Sequence, residues 1–345
     1  MEAPLEGEYP DDTSPEVGEL VRSSAAEDGL GALLAEQGYL YFPSLLPRSD
    51  VLDLRKEFVD ILAAHDWIAP GQEPHGTETT PDRFNLQRLE GASEYQSVFE
   101  CFQHLEKFHA LAQEKALMRV LARAFGEEAF AHPRNIGRII FPQQSEFKTQ
   151  PHQDWFFIQG DQMTLTAWVP LGSVGLRDGP LAVLAGSHRH GLRRHIPVSE
   201  TTNIRGGAGG HTTMVSELEA AGCRWLSTAF EAGDVLLFTS LTMHCALPNL
   251  SSKIRLSTDY RYSPMSKPLV AAGLLPHLSG LDWHQVYEGE FSAQGWAKPQ
   301  WTSDSPLKYY WRSAVPPLVT PMGADPESGE NWSVLAGGLC VGNTP

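Results

Sequence analysis

Two histidines and an aspartate set the strictest condition on how this chain can fold. His152 and Asp154 lie two residues apart in Thr149-Gln150-Pro151-His152-Gln153-Asp154-Trp155, and His244 lies 92 residues downstream. Side chains two apart on a β-strand leave the same face, so an imidazole and a carboxylate at this spacing converge on one point. A fold that uses them together with His244 must close a long loop and bring distant strands side by side. Arg255, eleven residues beyond His244, sits in another strand-like segment, Ile254-Arg255-Leu256-Ser257-Thr258.

The texture of the chain agrees with that demand. After residue 130, short apolar segments predict strands over 136–141, 152–158, 163–171, 181–184, 234–240, 242–247 and 254–262. Gly and Pro punctuate them, a pattern that argues for a β-sandwich or barrel. The N-terminal part reads differently. Leu30, Leu33 and Leu34 give a short helical face stopped by Gly38, and Tyr39-Leu40-Tyr41-Phe42 reads as a strand. Val51, Leu54, Phe58, Ile61 and Leu62 repeat at helical spacing, and a further helical region runs from 93 to 125 with Gly126 as its stop. The expected organisation is an acidic, disordered tail over 1–26 and a single domain over 27–345. Within it, 27–130 is mainly helical, 131–263 is a jelly-roll core, and 264–345 wraps over the barrel with Trp283, Trp296, Trp301 and Trp311 as core residues. The glycine-rich loop at 206–210 is expected to be flexible and to edge a cleft.

Charge and cysteine usage narrow the partners. The 345 residues carry a formal net charge of -16. Nucleic acid and anionic membrane surfaces both require a positive field, so neither is expected, and a small-molecule substrate is. No apolar run approaches the roughly 18 residues of a spanning helix. The opening residues Met1 to Glu8 lack the basic and apolar regions of a signal peptide. Cys101, Cys223, Cys245 and Cys340 show no paired spacing and read as free thiols, which points to the cytoplasm.

The residue types then suggest chemistry. Two histidines and one carboxylate on one face of a metal leave the other face open, the arrangement of non-haem iron(II) oxygenases. A lone His-x-Asp in a chain with 13 histidines arises easily by chance; the apolar strands around each ligand are what raise it. A guanidinium such as Arg255 offers two parallel donors that match a carboxylate, and Ser257 on the same strand face adds a hydroxyl. Gln153 and Trp155 flank the pair and are candidates to face a substrate, as are Asn135 and Arg138 on an early strand. The basic stretch 187–195 is either a solvated loop or a contact for an anionic substrate, with His188 in a structural hydrogen bond.

Several pieces together resemble the phytanoyl-CoA dioxygenase family of Fe(II)- and 2-oxoglutarate-dependent oxygenases. They are Pro151-His152-Gln153-Asp154, Ala167-Trp168, the run Asp178-Gly179-Pro180-Leu181-Ala182-Val183-Leu184-Ala185-Gly186-Ser187-His188, and Gly233-Asp234-Val235-Leu236-Leu237-Phe238 leading to His244 and Arg255. With the opening Gly38-Tyr39-Leu40, the resemblance spans about residues 30–263. It implies a mainly β fold with flanking helices, a double-stranded β-helix of the jelly-roll or cupin-like kind. It also implies iron held by His152, Asp154 and His244, with O2 and 2-oxoglutarate as cosubstrates, Arg255 on the distal carboxylate and Trp168 packed nearby. Where relatives often carry a hydroxyl residue two positions after the distal histidine, this chain has Ala246, so Ser257 or Thr166 is expected to complete the cosubstrate site. The retained carboxylate of Asp154 favours hydroxylation, because related halogenases have Ala or Gly there. Two other readings stay open: a catalytically silent jelly-roll that binds a ligand or metal, and a metal-dependent hydrolase or isomerase, which gives Arg255 no role.

Overall fold

The structure, a computed structural model, describes residues 17–26, 28–71, 76–90, 92–142, 149–193, 195–197, 210–212, 215–277, 280–289, 301–319, 331–334 and 340–343. Strand β1 (Gly18–Glu19) leads to helix α1 (Leu30–Gln37), which Gly38 ends in a left-handed conformation at φ 82°. Strand β2 (Tyr39–Phe42) follows, then helix α2 (Arg48–Ala64), whose periodic residues Val51, Leu54, Phe58, Ile61 and Leu62 are all buried. Helices α3 (Ser93–Gln103), α4 (Glu106–Leu111) and α5 (Lys115–Phe125) complete a helical layer. The expected helical region 93–125 thus consists of three helices.

The rest of the described chain is dominated by short strands: β3 (Ala129–Ala131), β4 (Ile136–Ile140), β5 (Leu165–Pro170), β6 (Leu181–Ala185), β7 (His195–Pro197), β8 (Gly210–Thr212), β9 (Arg224–Ser227), β10 (Val235–Thr239), β11 (His244–Ala246) and β12 (Arg255–Pro264). One sheet runs β2-β10-β5-β12-β3, with β4 also paired to β12; the other runs β1-β9-β6-β11. Alternation along the strands decides the layers. Leu40, Phe42, Leu165, Ala167, Val169, Val235, Leu237, Leu256, Tyr260 and Tyr262 turn toward the helices and pack with Phe58, Phe99, Phe102 and Phe108. The opposite faces carry Tyr39, Tyr41, Trp168, Leu236 and Phe238, which meet Leu181 and Val183 of β6. Ala182, Leu184 and Cys245 turn outward under Val215 and Leu218 of a short helix. Each such large side chain, fully buried, stabilises the fold by about 1.5–3 kcal/mol.

Strand β12 builds the polar interior of the sandwich. All ten of its residues are buried. Its even positions join the helix-facing core, so its odd positions, Arg255, Ser257, Asp259, Arg261 and Ser263, form a polar row on the inner face. Buried polar groups need partners, and those partners define the site.

Two expectations are corrected. Residues 152–158 do not form a strand: His152 makes an isolated bridge with His244, and helix α6 (Trp155–Ile158) begins at once. A run of four apolar residues carries no period that separates strand from helix. Here the Phe157 and Ile158 amides bond to the Asp154 carbonyl and the Trp155 amide to Ser240. Residues 17–26, expected in the tail, are docked instead. Strand β1 pairs parallel with β9, Leu20 is 3% exposed, and the Ser23 amide bonds to the Tyr41 carbonyl. Residues 1–16 and the loop at 206–209 lie outside the described residues, as does Trp296. Trp283, Trp301 and Trp311 cluster with Tyr287 and Leu269 on Phe130 of β3. No described helix is long and apolar enough to cross a membrane.

Candidate metal centre

His152 and His244 face each other because their backbones are paired: each amide bonds to the other's carbonyl at 3.0 Å. Both rings are fixed from behind. Nδ1 of His152 lies 2.8 Å from the Gln150 carbonyl, and Nδ1 of His244 lies 3.0 Å from the Thr242 carbonyl. A carbonyl only accepts, so Nδ1 carries the proton and Nε2 presents its lone pair. The two Nε2 atoms sit 3.6 and 3.8 Å from Asp154 Oδ1. All three ligand atoms lie within 4.8 Å of one another, a grouping suited to one metal ion.

The electrostatics prepare the group for a cation. Burial alone would push the Asp154 carboxyl upward, but Arg261 and the two histidines overcome it and hold Asp154 well below the usual carboxylate range. Burial, with His152 alongside, lowers His244 to about 3, so its ring is neutral at physiological pH. An ionised carboxylate and a free imidazole Nε2 are the protonation states that metal binding requires. The donor set fits iron(II), with two nitrogens and one oxygen crowded to one side.

Asp154 is itself gripped. Arg261 Nη2 lies 3.1 Å from Oδ2, and the Thr166 hydroxyl donates to the same oxygen at 2.5 Å. Register explains the pairing, since Arg261 and Thr166 are partners across β12 and β5. Thr166 thus sits on the carboxylate and not beside Arg255, where it was expected. Arg261 was missed by sequence reading. Its signal was there, because it lies six residues past Arg255 and so shares the inward face of β12.

Arg255, Ser257 and Trp168 come together as expected. Arg255 Nε donates to the Gly179 carbonyl at 3.0 Å, Nη1 donates to Ser257 Oγ at 2.6 Å, and the guanidinium lies 5.8 Å from the Trp168 ring centroid. Among the described residues a carbonyl, a hydroxyl and a ring meet this cation, and no carboxylate pairs with it. Burial lowers it to about 10, so it stays charged at neutral pH.

The remaining candidates sit elsewhere. The Gln153 amide donates to the carbonyls of Gly191 and Leu241 and accepts from the Arg193 amide, which ties down the loop that follows β6. Trp155 is buried on Phe156. Asn135 bonds to His109 in the helical layer. Arg138 is held by Glu90 and Asp259. His188 makes its structural hydrogen bond to the Ala35 carbonyl, at 2.9 Å.

Comparison with known proteins places this geometry in a family. The model of the phytanoyl-CoA dioxygenase family matches residues 34–257, a span that holds His152, Asp154, His244 and Arg255. A 1-deoxypentalenic acid 11-beta-hydroxylase of Streptomyces arenae is 30% identical over 249 residues, which cover 69% of this chain and 82% of that protein. Its namesake from Streptomyces exfoliatus is 26% identical over the same shares. In fold, the chain is similar to the non-haem, alpha-ketoglutarate-dependent carbocyclase SnoK of nogalamycin biosynthesis. The TM-score is 0.50 at 18% identity, over 72% of this chain and 88% of that one. With its matched span reaching from α1 into β12, the chain belongs to the phytanoyl-CoA dioxygenase family.

Proposed function

We infer that this protein is an Fe(II)- and 2-oxoglutarate-dependent dioxygenase that hydroxylates an unactivated C–H bond of a small organic molecule. One oxygen atom of O2 enters the substrate as a hydroxyl, the other enters succinate, and CO2 leaves. The observation that carries this reading is the His152–Asp154–His244 group together with an uncompensated Arg255 on the same inner face. The relatives are named as hydroxylases of 1-deoxypentalenic acid, which supports a small-molecule substrate.

His152, Asp154 and His244 would hold the iron, which supplies oxygen activation coupled to decarboxylation of the 2-oxo acid. The chain supplies position. Arg255 and Ser257 would receive the distal carboxylate of 2-oxoglutarate, with Trp168 beside it. A guanidinium prealigned by Gly179 needs no reordering when that anion arrives. Arg261 and Thr166 keep Asp154 ionised and oriented, as groups behind a metal ligand do. Phe238 and Phe157, with ring centroids 4.4 Å from His244 and 5.6 Å from His152, exclude water on the apolar side.

The two facing sheets support a double-stranded β-helix as the finer description of the fold, with residues 27–345 as one oxygenase unit and 264–345 as its wrap. The buried, free thiols of Cys101 and Cys223 suit a reducing compartment, and the cytoplasm is the proposed location. The test is direct: protein purified without oxygen is supplied with Fe(II), 2-oxoglutarate and air, and succinate is measured. Succinate formation that disappears in Asp154→Ala is expected. Its absence from wild type across broad substrate mixtures would favour the silent ligand-binding jelly-roll.

A further inference from the structure

A cleft opens beside Arg261, the residue that grips Asp154. It is small and partly open to solvent. Its polar wall is His132, Arg134 and Arg261; its apolar wall is Phe157, Ile158 and Val270. Phe157 stands edge-on to the His152 ring, so one wall of the cleft backs onto that ligand.

The polar wall has an excess of cation. Arg261 is 4% exposed and spends one nitrogen on Asp154, while its Nε and Nη1 have no hydrogen-bond partner. Two orphaned guanidinium donors at that depth cost several kcal/mol unless something accepts from them. Arg134 stands close by. Its Nη1 donates to the carbonyls of Ala272, Leu275 and Pro276, and among the described residues no carboxylate pairs with it. Burial, and after it the nearby Arg261, lower Arg134 to about 10. His132 adds no further positive charge, because burial and the two arginines lower it to about 3. Gly273 keeps this corner open: a Cβ there would come within 3.2 Å of His132 Nδ1.

We propose that this cleft takes the carboxylate of an apolar organic acid, held by Arg261 and Arg134, with its hydrocarbon part against Phe157, Ile158 and Val270. This deepens the oxygenase reading and rests on it for the identity of the bound molecule as substrate. Two acids then enter the inner face of β12 at separate clamps. The cosubstrate takes Arg255. The substrate takes Arg261, six residues and about 20 Å of strand away. The apolar wall would lead the chain of the acid toward His152, one of the residues that would hold the iron.

The experiment is an anaerobic calorimetric titration of the protein loaded with Fe(II) and saturating 2-oxoglutarate. The probes are octanoate and cyclohexanecarboxylate, each against its neutral amide. Both acids are expected to bind roughly tenfold or more tightly than their amides. Arg134→Gln should abolish that preference, and Arg134→Lys should keep most of it. Ala272→Glu, which places a carboxylate at the half-buried rim of the cleft, should abolish it too without touching an arginine. Melting curves without ligand identify any variant that fails to fold, and the other variant then decides. Equal affinity for acids and amides, no binding of either acid, or an unchanged preference in a folded Arg134→Gln overturns the proposal. Displacement of octanoate by 2-oxoglutarate also overturns it, because the probe would then occupy the Arg255 clamp. Failure of the oxygenase reading is separate: it appears as no binding of 2-oxoglutarate before any probe is added, and the acid preference is still measurable without it.

Discussion

Arg261 and Thr166 face each other across β12 and β5 and converge on one oxygen, Oδ2 of Asp154. Oδ1 is left toward the two histidines. The two residues differ in what their loss leaves behind. Arg261→Met strands a buried carboxylate without its cation, and the metal-free protein should lose about 3–5 kcal/mol. Thr166→Val removes a single hydrogen bond to a charged group and should cost about 1–3 kcal/mol. Both should weaken metal binding by roughly ten- to a hundredfold. Denaturant titration and competition with a chelator measure the two effects. Equal losses for both variants would show that Arg261 does not neutralise Asp154.

The cosubstrate clamp makes a second prediction. Lysine keeps the charge of Arg255 but lacks the fork that spans the Gly179 carbonyl and Ser257. Arg255→Lys should raise the 2-oxoglutarate KM by roughly ten- to a hundredfold with kcat at saturation little changed. Gly179→Ala should act in the same direction through the backbone. Gly179 has φ 72°, and a Cβ there would sit 2.8 Å from the Leu247 carbonyl oxygen. The carbonyl that steadies Arg255 must then move. Steady-state kinetics with varied 2-oxoglutarate decide, and an unchanged KM in both variants would remove Arg255 from the cosubstrate site.

One source of acid sensitivity lies in the helical layer. Burial lowers His109 to about 4, and its ring bonds to the Gln103 carbonyl and to Asn135. Between pH 6.5 and 4 the unfolded chain binds a proton here that the folded chain does not. Stability therefore falls as pH drops through that window, by about 1.4 kcal/mol per unit for this group. His109→Gln should flatten the slope of metal-free unfolding free energy between pH 6 and 4.5. An identical slope would mean that His109 is protonated in the fold.

A fourth prediction concerns the packing behind the site. Phe58 and Phe102 stack with centroids 3.7 Å apart, beneath Gly137 of β4. A Cβ at Gly137 would meet Phe102 at 2.9 Å and Phe58 at 3.1 Å. Gly137→Ala should cost about 1–3 kcal/mol through overpacking, although alanine suits a strand. A variant as stable as wild type in denaturant titration would show that the ring pair slides freely.

The strands were legible in the sequence as short apolar segments punctuated by Gly and Pro, but which of their faces meets the helices was not, because β2 and β10 are apolar on both. His152, Asp154, His244 and Arg255 were legible because their types and spacing are unusual together. The segment after Asp154 was not, since Trp155 to Ile158 are apolar at every position and fit strand or helix alike. Arg261 escaped notice for another reason. A buried arginine looks like any other until register places it opposite Thr166. Arg138, read as a substrate contact, has the same type and strand setting, yet Glu90 and Asp259 already engage it. Only partners in space separate the two.

The reciprocal amide bonds between His152 and His244 carry a kinetic consequence. They form an isolated bridge outside the long ladders of the sheets, with the Ala246 amide bonded to the Thr149 carbonyl beside it. Because the bridge aligns both imidazoles before any ion arrives, metal capture requires no reordering of the chain. Departure is different: the rings separate only when this bridge breaks. The residence time of the ion should then follow the local opening of this short connection, and the core beneath can be very stable without slowing its exchange.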